Sequence, residues 1–292
     1  MTAGRPAHGL FLASAPLIFA VIWSTGNIFT KYGMPYVEPL TFLALRFAFG
    51  TLFLVAVAAA FRAPWPASAA EAGHIVVAGV LVHCGYLWSV FVAVDEGVAI
   101  GTLALIVGLQ PLLTAMIVGR ALGETVSARQ WVGLVLGFAG VVMVVWRKID
   151  IAEGTLFGMA LGVTSVLALT LGTVYQKRFC ADMDLRSGTA LQAGVNAALT
   201  IGLVLLFETR AIDWTGEFVF SLFWLVFVLT IGAYNLLFYL LRLGEASRVA
   251  SLFYLTPAIT AVMGWLMFDE VLGPVSIVGM AVAVTGFALA SR

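Results

Sequence analysis

The sequence predicts an all-α membrane protein of ten transmembrane helices, arranged as two inverted five-helix repeats around a central cavity. Hydrophobic residues make up 62% of the 292 residues and charged residues only 10%, whereas a soluble domain has ~25% charged residues. Shifting the chain by 146 positions, half its length, brings matching residues into register. Because each half carries five apolar segments, an odd number, the second half must cross a membrane in the opposite sense to the first.

The ten apolar segments are each close to the ~20 residues that a membrane-spanning helix requires. They cover residues 10–30, 40–61, 75–94, 98–119, 129–146, 155–176, 187–207, 218–241, 247–267 and 272–290. The short linkers between them leave no room for a soluble domain, so neighbouring helices should pack antiparallel. The first segment is longer than the apolar region of a cleaved signal peptide.

The repeat divides the chain into two domains, residues 1–146 and 147–292. The residues that coincide are Lys31 with Lys177, Pro111 with Pro257, Glu124 with Glu270, Gly133 with Gly279 and Gly140 with Gly286. Many secondary transporters use an inverted repeat of this kind to build one binding site with two alternating entrances.

Positive charge in the loops predicts the orientation, because Lys and Arg concentrate on the cytoplasmic side of a membrane protein. With a cytoplasmic N-terminus, ten basic residues lie inside and four outside, and Arg46 lies within the second segment. The four outer residues are Lys31, Arg147, Lys148 and Arg210. We therefore expect a multi-pass protein of the cell inner (plasma) membrane with both termini in the cytoplasm.

The charge and cysteine content of the chain restrict what the protein is expected to bind. The net charge is zero, so nothing suggests nucleic acid, and Cys84 and Cys180 have no metal-binding spacing; we expect no metal and no cofactor. Small residues recur three or four apart in the fifth, sixth and tenth segments, as in closely packed membrane helices. We expect these stripes to pack internally, in a monomer rather than a dimer. The partners should be the lipid bilayer and a small-molecule substrate.

One pattern occurs in both halves, at 105–145 and 251–290: a proline, a glutamate thirteen residues later, a glycine after nine more and another glycine after seven. It resembles the EamA repeat of the drug/metabolite transporter superfamily, and the whole chain resembles the bacterial YddG-type exporters. The second repeat departs mildly, with Asp269 where the first has Gly123. The resemblance implies a secondary transporter that exports amino acids, hydrophobic or aromatic ones preferred, or similar small metabolites, by alternating access.

Three alternatives remain at this stage. The first is export of another metabolite or drug class, and the second is a channel, for which no filter loop is evident. The third is an intramembrane enzyme, for which the sequence offers no HExxH motif and no paired membrane aspartates.

Polar and aromatic side chains within the apolar segments are the candidates for substrate binding, because polar groups are costly against lipid. They are Ser24, Asn27, His83, Tyr86, Trp88, Thr173, Gln192, Asn196, Tyr234 and Tyr239. Amide and hydroxyl groups suit the amino and carboxylate ends of a substrate, and ring faces suit its apolar part. The alternative is that these groups bond only to the protein, as in the stripe of Gln192, Asn196 and Thr200 or a packed His83.

Five further residues are candidates for gating. Lys31 and Arg46 should lie near the outer mouth and Lys177 near the inner mouth, where Gln192 replaces Arg46. Pro111 and Pro257 should kink the fourth and ninth helices at symmetric points, because proline removes a backbone hydrogen bond. The alternatives are that the basic residues reach the membrane surface and that the kinks serve packing alone. Glu124 and Glu270 should stabilise helix N-termini.

Overall fold

The computed structural model describes residues 5–148, 154–268 and 272–291. Within these ranges the chain forms ten long helices: α1 Arg5–Gly33, α2 Pro39–Ala60, α3 Ala69–Asp95, α4 Ile100–Leu122, α5 Ala128–Val145, α6 Leu156–Phe179, α7 Leu185–Phe207, α8 Gly216–Leu243, α9 Ala246–Met267 and α10 Pro274–Ala290. Eight of them, α2 to α9, are long and apolar enough to cross a membrane. The prediction of ten helices is confirmed, while Glu270 and the side chain of Lys148 lie outside the described parts of the chain.

Local sequence explains where several helices begin. Ser68, Ser127, Thr155 and Thr215 each precede a helix, and each side chain accepts a hydrogen bond from a backbone N–H of the first turn. Such caps satisfy donors that a helix cannot satisfy internally. The outer surface of the bundle is apolar, with side chains such as Leu156, Leu206 and Phe207 largely exposed, as a lipid environment requires.

The contacts between helices are symmetric with respect to the two halves. α2 packs on α7 and α5 on α10, which pairs each helix with its own counterpart. Several further contacts come in related pairs: α3–α6 with α8–α1, α4–α6 with α9–α1, and α3–α7 with α8–α2. Because these contacts recur when the halves are exchanged, the two repeats interlock and share one interior, whereas α5 with α9 and α6 with α8 form contacts that have no counterpart of similar extent.

The glycine stripes of α5 and α10 face each other, as predicted for internal packing. A methyl group added at Gly140 would lie 2.3 Å from the backbone nitrogen of Ala283, and one added at Gly286 would lie 2.2 Å from that of Gly137. Only glycine permits this approach of two backbones. The pair also packs on α9, whose Tyr254 fills the space at Gly137.

Four helices are interrupted at symmetric points. α4 is broken at Gly108 and Leu109, just before Pro111, and α9 has a 3₁₀ turn at Leu252–Tyr254, just before Pro257, so both predicted proline interruptions are confirmed. α3 and α8 contain π-helical segments, Val80–Trp88 and Leu225–Ala233, which the sequence did not predict. Such segments often occur at functional sites.

Candidate functional site

A small cavity lies between α1, α2, α3 and α8, and cavities between the helices of a bundle are a common place for small-molecule sites. It is lined by Trp23, Gly26, Asn27, Thr30, Arg46, Tyr86, Leu87, Val90, Phe91, Leu229 and Tyr234. These residues come from the C-terminal halves of α1 and α3, the N-terminal half of α2 and the middle of α8. The cavity is therefore displaced toward the end of the molecule where α1 and α3 terminate.

Arg46 is the only charged residue among those that line this cavity. Its side chain is 3% exposed, and its Nε donates a hydrogen bond of 2.7 Å to Oγ1 of Thr230 on α8. Among the described residues, no carboxylate forms an ion pair with the guanidinium. Arg46 therefore points into the protein rather than to the membrane surface. A buried cation without a counter-ion is costly, so this site favours an anionic group from a ligand.

Aromatic rings form the wall beside Arg46. Trp23 and Tyr234 meet edge to face, with ring centroids 4.9 Å apart, and Tyr86 also lines the cavity. Asn27 lies in the same cavity and its side chain is exposed there. The arrangement thus combines one cation, one free amide and several ring surfaces, which are groups that can bind a carboxylate, a polar head and an apolar substituent.

Seven of the ten predicted binding residues lie outside this cavity, among them Ser24, Trp88, Thr173 and Tyr239. Ser24 donates to the carbonyls of Ala20 and Thr256, and Thr173 donates to carbonyls of its own helix. The indole of Trp88 donates to Thr200 at 2.9 Å. Tyr239, on α8, does not line the cavity either.

The polar stripe of α7 is buried against α3 and α6 instead of facing the cavity. Gln192 Nε2 donates to the carbonyl of Ile75 and to Gln176 Oε1 at 2.9 Å. Asn196 Oδ1 accepts from the thiol of Cys84. These bonds join helices, which was the alternative to substrate contact for this stripe.

His83 lies in the π-helical segment of α3, packed on Tyr234 with ring centroids 4.2 Å apart. Neither ring nitrogen has a hydrogen bond of normal geometry within the described structure, although the side chain of Gln192 lies close enough to interact with the ring. α3 begins earlier than the predicted segment 75–94 and therefore also includes His74, which bonds to Tyr175.

The predicted gating residue Lys177 ends α6 in an ion pair. Its Nζ lies 2.5 Å from Glu124 Oε1 and also donates to the carbonyl of Gly244. Glu124 accepts from the backbone N–H of Ala246 at 2.9 Å, so it caps α9 rather than the adjacent α5, whose own cap is Ser127. We call Lys177, Glu124, Gly244 and Ala246 the inner latch. Its counterpart in sequence contains Lys31, which is exposed at the end of α1.

Several residues of the cavity were not predicted. Trp23 and Thr30 lie four residues before and three residues after Asn27, on the same helix face, and extending that face would have found them. Thr230 does not line the cavity but bonds to Arg46. The sequence did not predict this role, because a single threonine in an apolar helix is more often bonded to its own backbone.

The model of the EamA-like transporter family matches residues 8–146 and 156–292. The chain belongs to the EamA-like transporter family. It is therefore a multi-pass membrane protein of a transporter family and not an enzyme.

Two curated relatives extend over nearly the whole chain. The uncharacterized transporter YvbV of Bacillus subtilis (strain 168) is 31% identical over 288 residues, covering 94% of this chain and 89% of YvbV. A probable amino-acid metabolite efflux pump of Escherichia coli (strain K12) is 25% identical over 284 residues, covering 92% and 91%. A crystal structure with 22% identity covers 96% of both chains with a TM-score of 0.79, which shows that this EamA-like protein shares its fold.

Proposed function

We propose that this EamA-like protein is a secondary transporter that exports amino acids, with hydrophobic and aromatic ones preferred, by alternating access. The observation that carries the proposal is Arg46, a buried cation without an acidic partner among the described residues, in a cavity walled by Trp23, Tyr86 and Tyr234. Similarity to a probable amino-acid metabolite efflux pump supports the same substrate class.

In this proposal the cavity recognises the two ends of an amino acid separately. The guanidinium of Arg46 binds the carboxylate, because charge-assisted hydrogen bonds are stronger than neutral ones. Asn27 and the Tyr86 hydroxyl accept from the amino group, and the rings of Trp23 and Tyr234 pack on the side chain. A solute without a carboxylate would leave Arg46 uncompensated and should bind weakly.

The transporter consists of two inverted five-helix repeats, residues 1–146 and 147–292, around the shared interior. With both termini in the cytoplasm of the cell, the C-terminal ends of α1 and α3 lie on the outer side of the inner membrane. The cavity then opens outward, while the inner latch closes the cytoplasmic side. The interruptions before Pro111 and Pro257 allow α4 and α9 to bend, and the transporter works as a monomer.

The substrate test uses purified protein in proteoliposomes loaded with a panel of labelled solutes. We expect saturable efflux of leucine, phenylalanine or tryptophan, and much slower efflux of their amides, which lack the carboxylate. Equal rates for the acids and the amides would contradict carboxylate binding. Transport of an unrelated drug or metabolite class with no amino-acid flux would replace the substrate assignment.

The orientation is tested independently by cysteine labelling. Arg62 and Arg210 are exposed loop residues at opposite ends of the bundle. In protein lacking Cys84 and Cys180, Arg62→Cys should react with an impermeant maleimide only from the cytoplasmic side, and Arg210→Cys only from the outside. The reverse result would invert the topology without affecting the substrate assignment.

A further inference from the structure

The cavity lies on one side of the symmetric interior, and its counterpart on the other side is closed. Adding 146 to the numbers of Asn27, Thr30 and Arg46 gives Thr173, Gln176 and Gln192; subtracting 146 from Leu229 gives His83. All four counterparts are at most 3% exposed. We call Thr173, Gln176, Gln192 and His83 the closed set.

The closure is visible in the distances between helices. A methyl group added at Gly26 on α1 would meet its nearest neighbour, Cδ1 of Leu229 on α8, at 3.3 Å. At the equivalent Gly172 on α6 it would lie 2.6 Å from Val82 on α3 and 3.0 Å from that residue's backbone nitrogen. At this level α1 and α8 are therefore farther apart than the equivalent helices α6 and α3.

The closed set contains polar atoms that this conformation leaves without partners. Gln192 Nε2 is bonded to Gln176, whereas Gln192 Oε1 and both nitrogens of His83 are buried without a hydrogen bond of normal geometry in the described structure, although the two side chains lie close enough to interact with each other. An unsatisfied buried polar atom is unfavourable, and packing between helices would be served equally well by apolar side chains. These groups therefore point to a ligand or to water that reaches them in another conformation.

The inner latch lies directly over the closed set. Lys177 is one helical turn beyond Thr173 on α6, and its ion pair with Glu124 ties the end of α6 to the start of α9. Opening a path to Gln176 and Gln192 requires α6 and α3 to separate at this end. A movement of α6 away from α3 also displaces Lys177 from the start of α9, so the ion pair between Lys177 and Glu124 opposes that movement.

We propose that Thr173, Gln176, Gln192 and His83 form the cytoplasm-facing half of the substrate site, which the inner latch closes in this structure. The inference rests on the proposed transport function. The two faces of the site differ in charge, because the neutral Gln192 stands where the outward face has Arg46. An amino acid entering from the cytoplasm meets amide and imidazole groups first, and its carboxylate engages Arg46 as the outward face forms.

The test measures accessibility and needs no substrate. In protein lacking Cys84 and Cys180, two single-cysteine variants at equivalent positions, Thr173→Cys and Asn27→Cys, are labelled with an impermeant maleimide from each membrane side. Glu124→Gln is added to weaken the inner latch, with Lys177→Gln as a second latch variant. Arg178→Gln is the matched control, because Arg178 bonds to the carbonyl of Ala121 and not to Glu124.

We expect Glu124→Gln to raise labelling of Thr173→Cys from the side of Lys177 by about fivefold or more, the scale of a typical coupling between sites, and to lower labelling of Asn27→Cys from the opposite side. Arg178→Gln should change neither. A rise at both positions, or a Thr173→Cys that stays unreactive with both latch variants, would overturn the inference. If labelling rises at Thr173→Cys and falls at Asn27→Cys as expected, but the protein transports no amino acid, only the proposed substrate is refuted.

Discussion

The guanidinium of Arg46 on α2 donates a 2.7 Å hydrogen bond to the hydroxyl of Thr230 on α8, in the other half of the chain. Thr230 lies in the π-helical segment and in turn donates to the carbonyl of Leu225 at 3.0 Å. In the equivalent place of the first repeat, Cys84 in the π-helical segment of α3 donates to Asn196 on α7. Each π-helical segment thus bonds to a polar side chain of the opposite repeat, but only the segment of α8 bonds to a cation, Arg46.

We expect Arg46→Gln to raise KM for amino acids by about 10- to 100-fold, because a hydrogen bond to a charged group contributes ~1.5–3 kcal/mol. Thr230→Val keeps the cation but removes its orienting partner, and should raise KM by a smaller factor. Efflux kinetics in proteoliposomes measure both effects, with monodispersity in detergent as the check on folding. Wild-type rates for every carboxylate-bearing solute in Arg46→Gln protein would rule out the role of Arg46.

We expect Pro111→Ala and Pro257→Ala to lower turnover while preserving or raising thermal stability. Each substitution restores a backbone donor at the interruption in α4 or α9 and favours a straight helix. Pro274→Ala is the matched control, because Pro274 lies at the first turn of α10, where proline disturbs no internal bond. Unchanged turnover in both variants would show that the kinks serve packing alone.

We expect Gly140→Ala to destabilise the protein by about 1–3 kcal/mol, the usual cost of overpacking. The added methyl would lie 2.3 Å from the nitrogen of Ala283, so α5 and α10 must separate. Gly202→Ala is the control, because nothing lies within 4 Å of a methyl group at that position on α7. Thermal unfolding in detergent compares the two, and equal melting temperatures would contradict the close packing of α5 and α10.

We expect the stabilising effect of the Asp184 carboxylate to disappear in acid. Hydrogen bonds from the Arg186 side chain lower the pKa of Asp184 to about 2 from its ordinary 3.8. A lowered carboxyl pKa stabilises the fold above the ordinary value, and this contribution is lost as pH falls from about 3.8 toward 2. Asp184→Asn keeps a good N-cap for α7 but loses the charge. Its melting temperature should therefore lie below that of the wild type at neutral pH and converge with it in acid; a constant difference between about pH 6 and pH 3 would refute this.

Sequence reasoning found the parts of the site that depend on one helix at a time. The stripe containing Asn27, the equivalence of Arg46 and Gln192, and the interruptions before both prolines follow from spacing within a segment. It did not find the π-helical segments, because their composition is that of any apolar helix. The sequence also predicted that Gln192 and Asn196 would line the cavity together with Asn27. In the structure, hydrogen bonds to α6 and α3 instead hold Gln192 and Asn196 in the closed side of the interior.

The sequence by itself determined the ten helices, the 146-residue repeat and the family pattern, because apolar length and local periodicity control helix formation in a membrane. The tertiary structure alone decided which polar groups share a cavity. Helix rotation and the choice of neighbour bring Arg46 to Thr230 and Glu124 to Lys177, and both depend on contacts between residues far apart in the chain. The two repeats are equivalent in sequence pattern, so only packing could reveal that one face of the interior is open and the other closed.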